Sequence, residues 1–552
     1  MNDGFGDGQD SLQPPSEITG RGPELNARQR EIYRNLKSIG PEISAYYLDG
    51  IRILQREDLE TSASLLAHIA REIDGGLRDI LSEDPEERLE FVVRVPDDET
   101  LQFKRKRADT FEFTVNIPGT VEVTYKDIPR HRVSILRSLG IDNPSPLAER
   151  WISVTRNFAK FAHRHGAWRS PRGIEDFEGL WLEFEGVLAD LVGNYLNLLD
   201  RLDRIRTAEP TKERRGALRN LLESGARRAY FFSKLESTAW LEPLKEDGWF
   251  DPDQNPMPQE SPDQPGYYYS PRWHALEYVV KIATHPECPI DILVDIVNAI
   301  TDESREWIDN GRTDLDTVKI ISAFPIDLIK PQYITFMGAA LKSSQKYGLM
   351  DQEIGQTILP KLLDGRKLEL TLALLTIMLE VEFVNGRIRP IMNEHRLEEA
   401  FKKHGEVIAR VCGVEAAQIA LIQIRALASE DSSVFHFIHP FESDLSRLSR
   451  ADYTELIVSF TSSIFQSAEP VSITEIIQSL LQERYVIIKR IALKAITHHY
   501  GDLKHLFWGW EGNPLDEIGL ETEISQLIQV NNHTFNEDEM EQILQWIEST
   551  QY

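Results

Sequence analysis

Cysteine is nearly absent: Cys288 and Cys412 are the only two in 552 residues, and neither has a CxxC neighbour. That excludes a disulfide framework and a structural zinc site, and it predicts buried free thiols in a reducing compartment. Long hydrophobic runs are lacking too. The longest strongly apolar stretch, Leu370 to Leu379, is half of the roughly 20 residues a membrane-spanning helix needs. No basic segment followed by an apolar one opens the chain, since Met1 to Glu17 is acidic, Gly-rich and polar. These two readings predict no membrane partner and a cytoplasmic location. Positive charge is scarce: 61 Lys and Arg face 89 Asp and Glu, for a net charge of −28. Such a surface repels phosphates at long range, so any nucleic-acid contact must come from a local basic patch. There is no G-x-x-x-x-G-K-[ST] phosphate loop, no G-x-S-x-G elbow and no H-E-x-x-H helix. His498 and His499 have no clustered carboxylate or cysteine beside them, so neither a metal nor another cofactor is expected.

What is present is helical periodicity. The length exceeds one hydrophobic core. Residues 1–23 read as a disordered tail. Ile32, Leu36, Ile39 and Ile43, then Leu65, Ile69, Ile73, Leu77 and Ile80, recur at three- and four-residue steps. They predict two long helices, the second capped by Asp58. Residues 89–125 break the pattern. Phe91–Val95, Phe111–Val115 and Val121–Tyr125 are β-branched and aromatic, separated by turn signals, and predict a small β insertion. Within it, Lys104, Arg105, Lys106 and Arg107 form the most concentrated basic cluster of the chain. A solvated hairpin or loop is its bland meaning and a nucleic-acid or acidic-partner contact the sharper one. Helices from Leu147 to about His165 and from Ile174 to about Arg206 complete a four-helix bundle over residues 24–206.

Residues 207–270 read as a linker and an aromatic cap, carrying Phe231, Phe232, Trp240, Trp249, Phe250 and Tyr267 to Tyr269. A ligand-binding aromatic cage is the alternative. From Pro271 onward helix pairs recur at an irregular step of roughly 30 to 45 residues, the range of HEAT and armadillo units. The fold class expected is therefore mostly α: an N-terminal helical bundle with a small β insertion, followed over residues 271–552 by an α-solenoid of HEAT-like helix pairs. No unit of this kind buries its own apolar face, and the extended surface that stacking creates suits a protein partner. Trp508 and Trp510 read as packing or interface residues rather than as a cofactor box. Trp240-Leu241-Glu242-Pro243-Leu244 and Pro271-Arg272-Trp273 resemble segments of bacterial multi-domain antiphage-defence proteins, in which such a motif precedes a Pro-rich loop and HEAT-like helices. The resemblance covers Ala229 to Thr301 and implies a defence setting without naming a reaction.

The candidate chemistry lies in Arg156-Asn157-Phe158-Ala159-Lys160-Phe161-Ala162-His163. Seven residues are about two helical turns, so Arg156 and His163 share one face with Lys160 between them. An imidazole titrating near neutrality can carry the 2′-hydroxyl and leaving-group protons, and a guanidinium can hold the phosphate. The bland alternative is a solvated cationic face opposite Phe158, Phe161 and Ala162. The arrangement resembles the R-x4-6-H motif of HEPN ribonucleases, small bundles of long helices that dimerise across the motif and cut RNA without metal. The resemblance implies Arg156 and His163 as catalytic residues, Asn157 as the residue positioning the arginine, and a homodimer with RNA at the bundle. His68, Arg71 and Glu72 lie one turn apart on the second helix. They read as a surface ion-pair set, or as supporting residues with Glu72 orienting His163. A non-enzymatic adaptor, sensor or regulatory scaffold binding another defence protein is the alternative function.

Overall fold

The computed structural model describes residues 23–56, 59–81, 104–107, 110–112, 135, 145–162, 175–260, 268–304, 307–343, 349–384, 387–435, 438 and 452–549. The tail over 1–23, apart from Pro23, lies outside them. So do Asp58 and the segments Phe91–Val95 and Val121–Tyr125. The protein is mostly helical, with short antiparallel strand pairs. It divides into two compact units, Met1–Lys234 and Leu235–Tyr552. The division falls inside the segment expected to be linker and cap. Residues 212–234 are not a bare linker but carry two helices of the first unit.

In the first unit, α1 (Ala27–Ile39) begins in a capping box in which Asn26 and Gln29 satisfy each other's backbone N–H. The periodicity runs unbroken from Ile32 to Ile43, yet the helix does not. Gly40 is extended and Pro41 starts α2 (Pro41–Leu54), because a proline cannot donate to the preceding turn and is tolerated only in the first turn of a new helix. Next come α3 (Ser62–Leu81), α4 (Pro146–Ala162) and α5 (Glu175–Arg206). Each of these packs on the next, and α5 returns to α1, closing a ring around one core. That core is aromatic in its middle: the Phe184 ring lies 5.0 Å from Phe158, 5.5 Å from Trp181 and 5.8 Å from Trp151. At its edge the buried Glu185 accepts hydrogen bonds from the Tyr47 hydroxyl at 2.8 Å, Trp181 Nε1 at 3.1 Å and Gln29 Nε2 at 3.1 Å. The short helices α6 (Lys212–Leu221) and α7 (Gly225–Lys234) finish the unit, and both pack on α5. The basic run forms strand β1 (Lys104–Arg107), paired antiparallel with β2 (Thr110–Glu112). A hairpin is therefore what that run builds.

In the second unit, α8 (Leu241–Glu246) precedes a loop that includes the two-residue pair β3 (Gln259–Glu260) and β4 (Tyr268–Tyr269). Then follow α9 (His274–Ile282), α10 (Ile290–Ile300), α11 (Gly311–Ala323) and α12 (Pro331–Lys342). The next run, Met350–Asp364, is helical with a π-type stretch at Ile354–Ile358, and α13 (Leu368–Met378) follows it. The hairpin β5 (Val381–Val384) and β6 (Arg387–Pro390) was not anticipated. It leads into α14 (Glu394–Glu430), with 37 residues. The chain continues through α15 (Tyr453–Ser467), α16 (Pro470–Leu481), α17 (Val486–His498), α18 (Tyr500–Trp508), α19 (Glu521–Asn531) and α20 (Glu537–Ser549). Packing runs along the sequence: α11 touches α9, α10 and α12; α13 touches α12 and α14; α15 touches α14 and α17. By length and composition α14 is apolar enough to cross a membrane. Charged residues interrupt that apolar window, so α14 holds no uninterrupted apolar run as long as Leu370 to Leu379, and a buried core helix passes the same test of length and composition. Its middle residue Gly413 has φ 56° and ψ −139°, a conformation open essentially to glycine alone. The helix is thus two segments joined at a break.

Candidate functional site

Helix α4 positions the motif. Its residues Trp151, Val154, Thr155 and Phe158 are buried, whereas Glu149, Ser153 and Arg156 are exposed. At 100° per residue the exposed set forms one stripe on the side opposite the aromatic core. Asn157 is half-buried at the stripe's border. The backbone of Lys160 belongs to α4, but its side chain lies outside the described residues, as does the whole of His163. The helix is described as far as Ala162.

The supporting set sits on α3, which packs directly against α4. His68, Arg71 and Glu72 are all exposed there, and among the described residues no hydrogen bond or ion pair joins the three. The structure therefore brings their helix beside that of Arg156 but does not describe the pairing of Glu72 with His163. The backbones of Lys104, Arg105, Lys106 and Arg107 lie in β1, and their side chains are outside the described residues.

The aromatic segment splits into two roles. Phe231 and Phe232 are core residues of the first unit. In the second unit Trp240, Leu241 and Leu244 of the defence-like motif are buried, as is Phe250. Trp273 donates through Nε1 to the Trp249 carbonyl at 3.3 Å, and the Tyr278 hydroxyl donates to the Ser237 carbonyl at 2.8 Å. The motif thus ties α8 and its flanks onto α9 by packing and two backbone contacts. His499 Nε2 lies 3.0 Å from the Phe465 carbonyl, and Trp508 stacks on Trp546 at 5.5 Å, so both have structural contacts. Cys412 is buried and Cys288 half-buried, both as free thiols, and burial raises each thiol pKa.

A cavity of about 560 Å³ in the second unit had no counterpart in the sequence reading. Trp273, Trp307 and Phe336 line it, with Asp314. Asn310, just before α11, braces the cavity's surroundings without lining it. It caps α11 by accepting from the backbone of Arg312 and Thr313, and its amide donates to the Pro256 and Pro271 carbonyls at 2.8 and 3.0 Å. Those contacts pull the Pro-rich loop over the first turn of α11. Asp314, in that turn, is 1% exposed. Its Oδ1 accepts from Trp307 Nε1 at 3.3 Å, while Oδ2 has no hydrogen-bond partner among the described residues. Burial holds the Asp314 carboxyl well above the usual carboxylate range; the Trp307 N–H opposes this and the nearby Asp309 adds to it.

No protein-family model matches the chain, and no curated protein or solved structure matches it either.

Proposed function

We propose that the first unit is a HEPN-like domain that cuts RNA without metal, and that the second unit is a HEAT-like α-solenoid that recognises a protein partner. The setting proposed is bacterial antiphage defence, in the cytoplasm. The observation that carries the nuclease reading is the outward stripe on α4. Arg156 stands on the face opposite the core, where a second copy of the domain and an RNA strand have access. In this reading Arg156 holds the phosphate and offsets the charge of its transition state. His163, seven residues beyond Arg156 in the sequence, moves the proton of the 2′-hydroxyl, and its counterpart in the second copy protonates the leaving oxygen. Asn157, at the stripe's border, positions the arginine. The ring of helices α1 to α5 around one core supports the bundle, and the sequential packing from α9 to α19 supports the solenoid.

The test is cleavage of a single-stranded RNA by the purified full-length protein and by a variant carrying both Arg156→Ala and His163→Ala. Loss of cleavage in a variant that keeps its melting temperature is expected. Undiminished cleavage overturns the reading. The net charge of −28 favours a second reading, a non-enzymatic adaptor or regulatory scaffold, because such a surface repels RNA outside a local basic patch. Retained defence activity in cells carrying the same double variant would identify the adaptor.

A further inference from the structure

The cavity beside α11 combines three features that converge on one class of ligand. Its walls are aromatic: the Trp307 ring is 39% exposed although it lines a pocket, and Trp273 and Phe336 stand beside it. Its rim is acidic, since Asp253, Asp302 and Glu303 are exposed around it, and no lysine, arginine or histidine lines it among the described residues. Inside it lies the buried carboxyl of Asp314, with Oδ2 lacking a hydrogen-bond partner among the described residues. Acidic side chains alone would mark only a solvated rim. A carboxyl taken out of water without a full set of donors is costly, and a cation supplied by a ligand removes that cost.

We propose that this cavity binds an alkylammonium ion, with the ammonium group against Asp314 and its methylene chain packed on Trp307, Trp273 and Phe336. The volume is within the range of small-molecule sites. Indole faces attract ammonium groups through their quadrupole, most strongly when water is excluded. The rim carboxylates draw a polycation in and fix which end leaves the pocket. The cavity is preformed: Asn310 pins the loop at Pro256 and Pro271, and the Thr313 hydroxyl donates to Asn255 Oδ1 at 2.7 Å. The site lies wholly within the second unit and does not depend on the nuclease reading.

The ammonium group could be carried by a free polyamine or by a lysine side chain of a protein partner, and calorimetric titration of the full-length protein separates the two. Spermidine is the probe in one arm and N-acetyl-lysine methylamide in the other, in about 150 mM salt to screen loose association with the acidic surface. Saturable binding at one site per chain is expected in one of the two arms, and that arm names the source. Asp314→Asn should weaken it about ten- to hundredfold, as loss of a charge-assisted hydrogen bond does. Asp291→Asn, at an exposed position of α10 outside the cavity, changes the net charge equally and should leave binding unchanged. Trp307→Ala, which removes an exposed ring and spares the core, should weaken binding as well. No saturable binding in either arm, or equal effects of Asp314→Asn and Asp291→Asn, would overturn the proposal.

Discussion

Glu185 and Asp314 are both buried carboxyl groups, held in opposite ways. Glu185 receives three hydrogen bonds from Tyr47, Trp181 and Gln29, on three different helices. Glu185→Ala strands two buried donors and should cost about 3 kcal/mol in urea denaturation, whereas Glu185→Gln keeps an acceptor and should recover at least half of that. Equal losses in the two variants would show that the hydrogen bonds contribute nothing. Asp316, two residues beyond Asp314, is pushed from 3.8 up to about 6, chiefly by burial, with Lys319 opposing and Glu277 adding to the shift. An acid whose pKa is raised by folding keeps a proton that the unfolded chain has lost, so its folded form is favoured at low pH. That contribution is fully present below pH 3.8 and is lost as pH rises through about 6. Asp316→Asn should therefore gain about 1 kcal/mol over the wild type between pH 5 and 7, read from paired denaturation curves. At this scale the sequence was informative wherever local spacing decides the outcome. The outward stripe of Arg156 follows from the position of Phe158 and Trp151 on the same helix. Asp314 was invisible because Asp253, Asn255 and Trp273, which line the same cavity, are more than 40 residues from it in the sequence.

Helices were legible through their apolar periods, which put α5 within a residue of its observed ends, but breaks inside a continuous period were not. Ile32 to Ile43 keeps one period across Gly40 and Pro41, so the break shows only in those two residues and not in the hydrophobic pattern. The same holds for α14. In that 37-residue run only Gly413 marks the break between its two segments. A side chain at φ 56° and ψ −139° is strained, so Gly413→Ala should cost about 1–3 kcal/mol or straighten the joint. Thermal melting reads the first outcome; an unchanged midpoint with an unchanged spectrum would contradict both. Gly50 is constrained by space instead. A Cβ there would come within 2.8 Å of Trp181 Cζ2 and nearer still to Cη2. Gly50→Ala should cost about 1–3 kcal/mol by overpacking the contact of α2 with α5. The two short hairpins of the second unit went unread because strands of two to four residues leave too little alternation to detect.

The molecule is two compact units, each with its own buried residues. Calorimetry of the full-length protein should resolve two transitions. Gly50→Ala should lower only the one belonging to the first unit, and Gly413→Ala only the other. Movement of both transitions by either variant would show that the units unfold together. The mostly helical class was legible from composition and period, but the boundary at Lys234 was not, because α6 carries a polar, linker-like sequence and both α6 and α7 join the first unit through contacts with α5. The most direct measurement is the end-group chemistry of RNA incubated with the full-length protein in excess EDTA. Fragments ending in a 2′,3′-cyclic phosphate, absent with the Arg156→Ala/His163→Ala variant, are the expected result. Intact RNA, or cleavage that survives in the double variant, would contradict the assignment of the α4 face as a metal-independent nuclease.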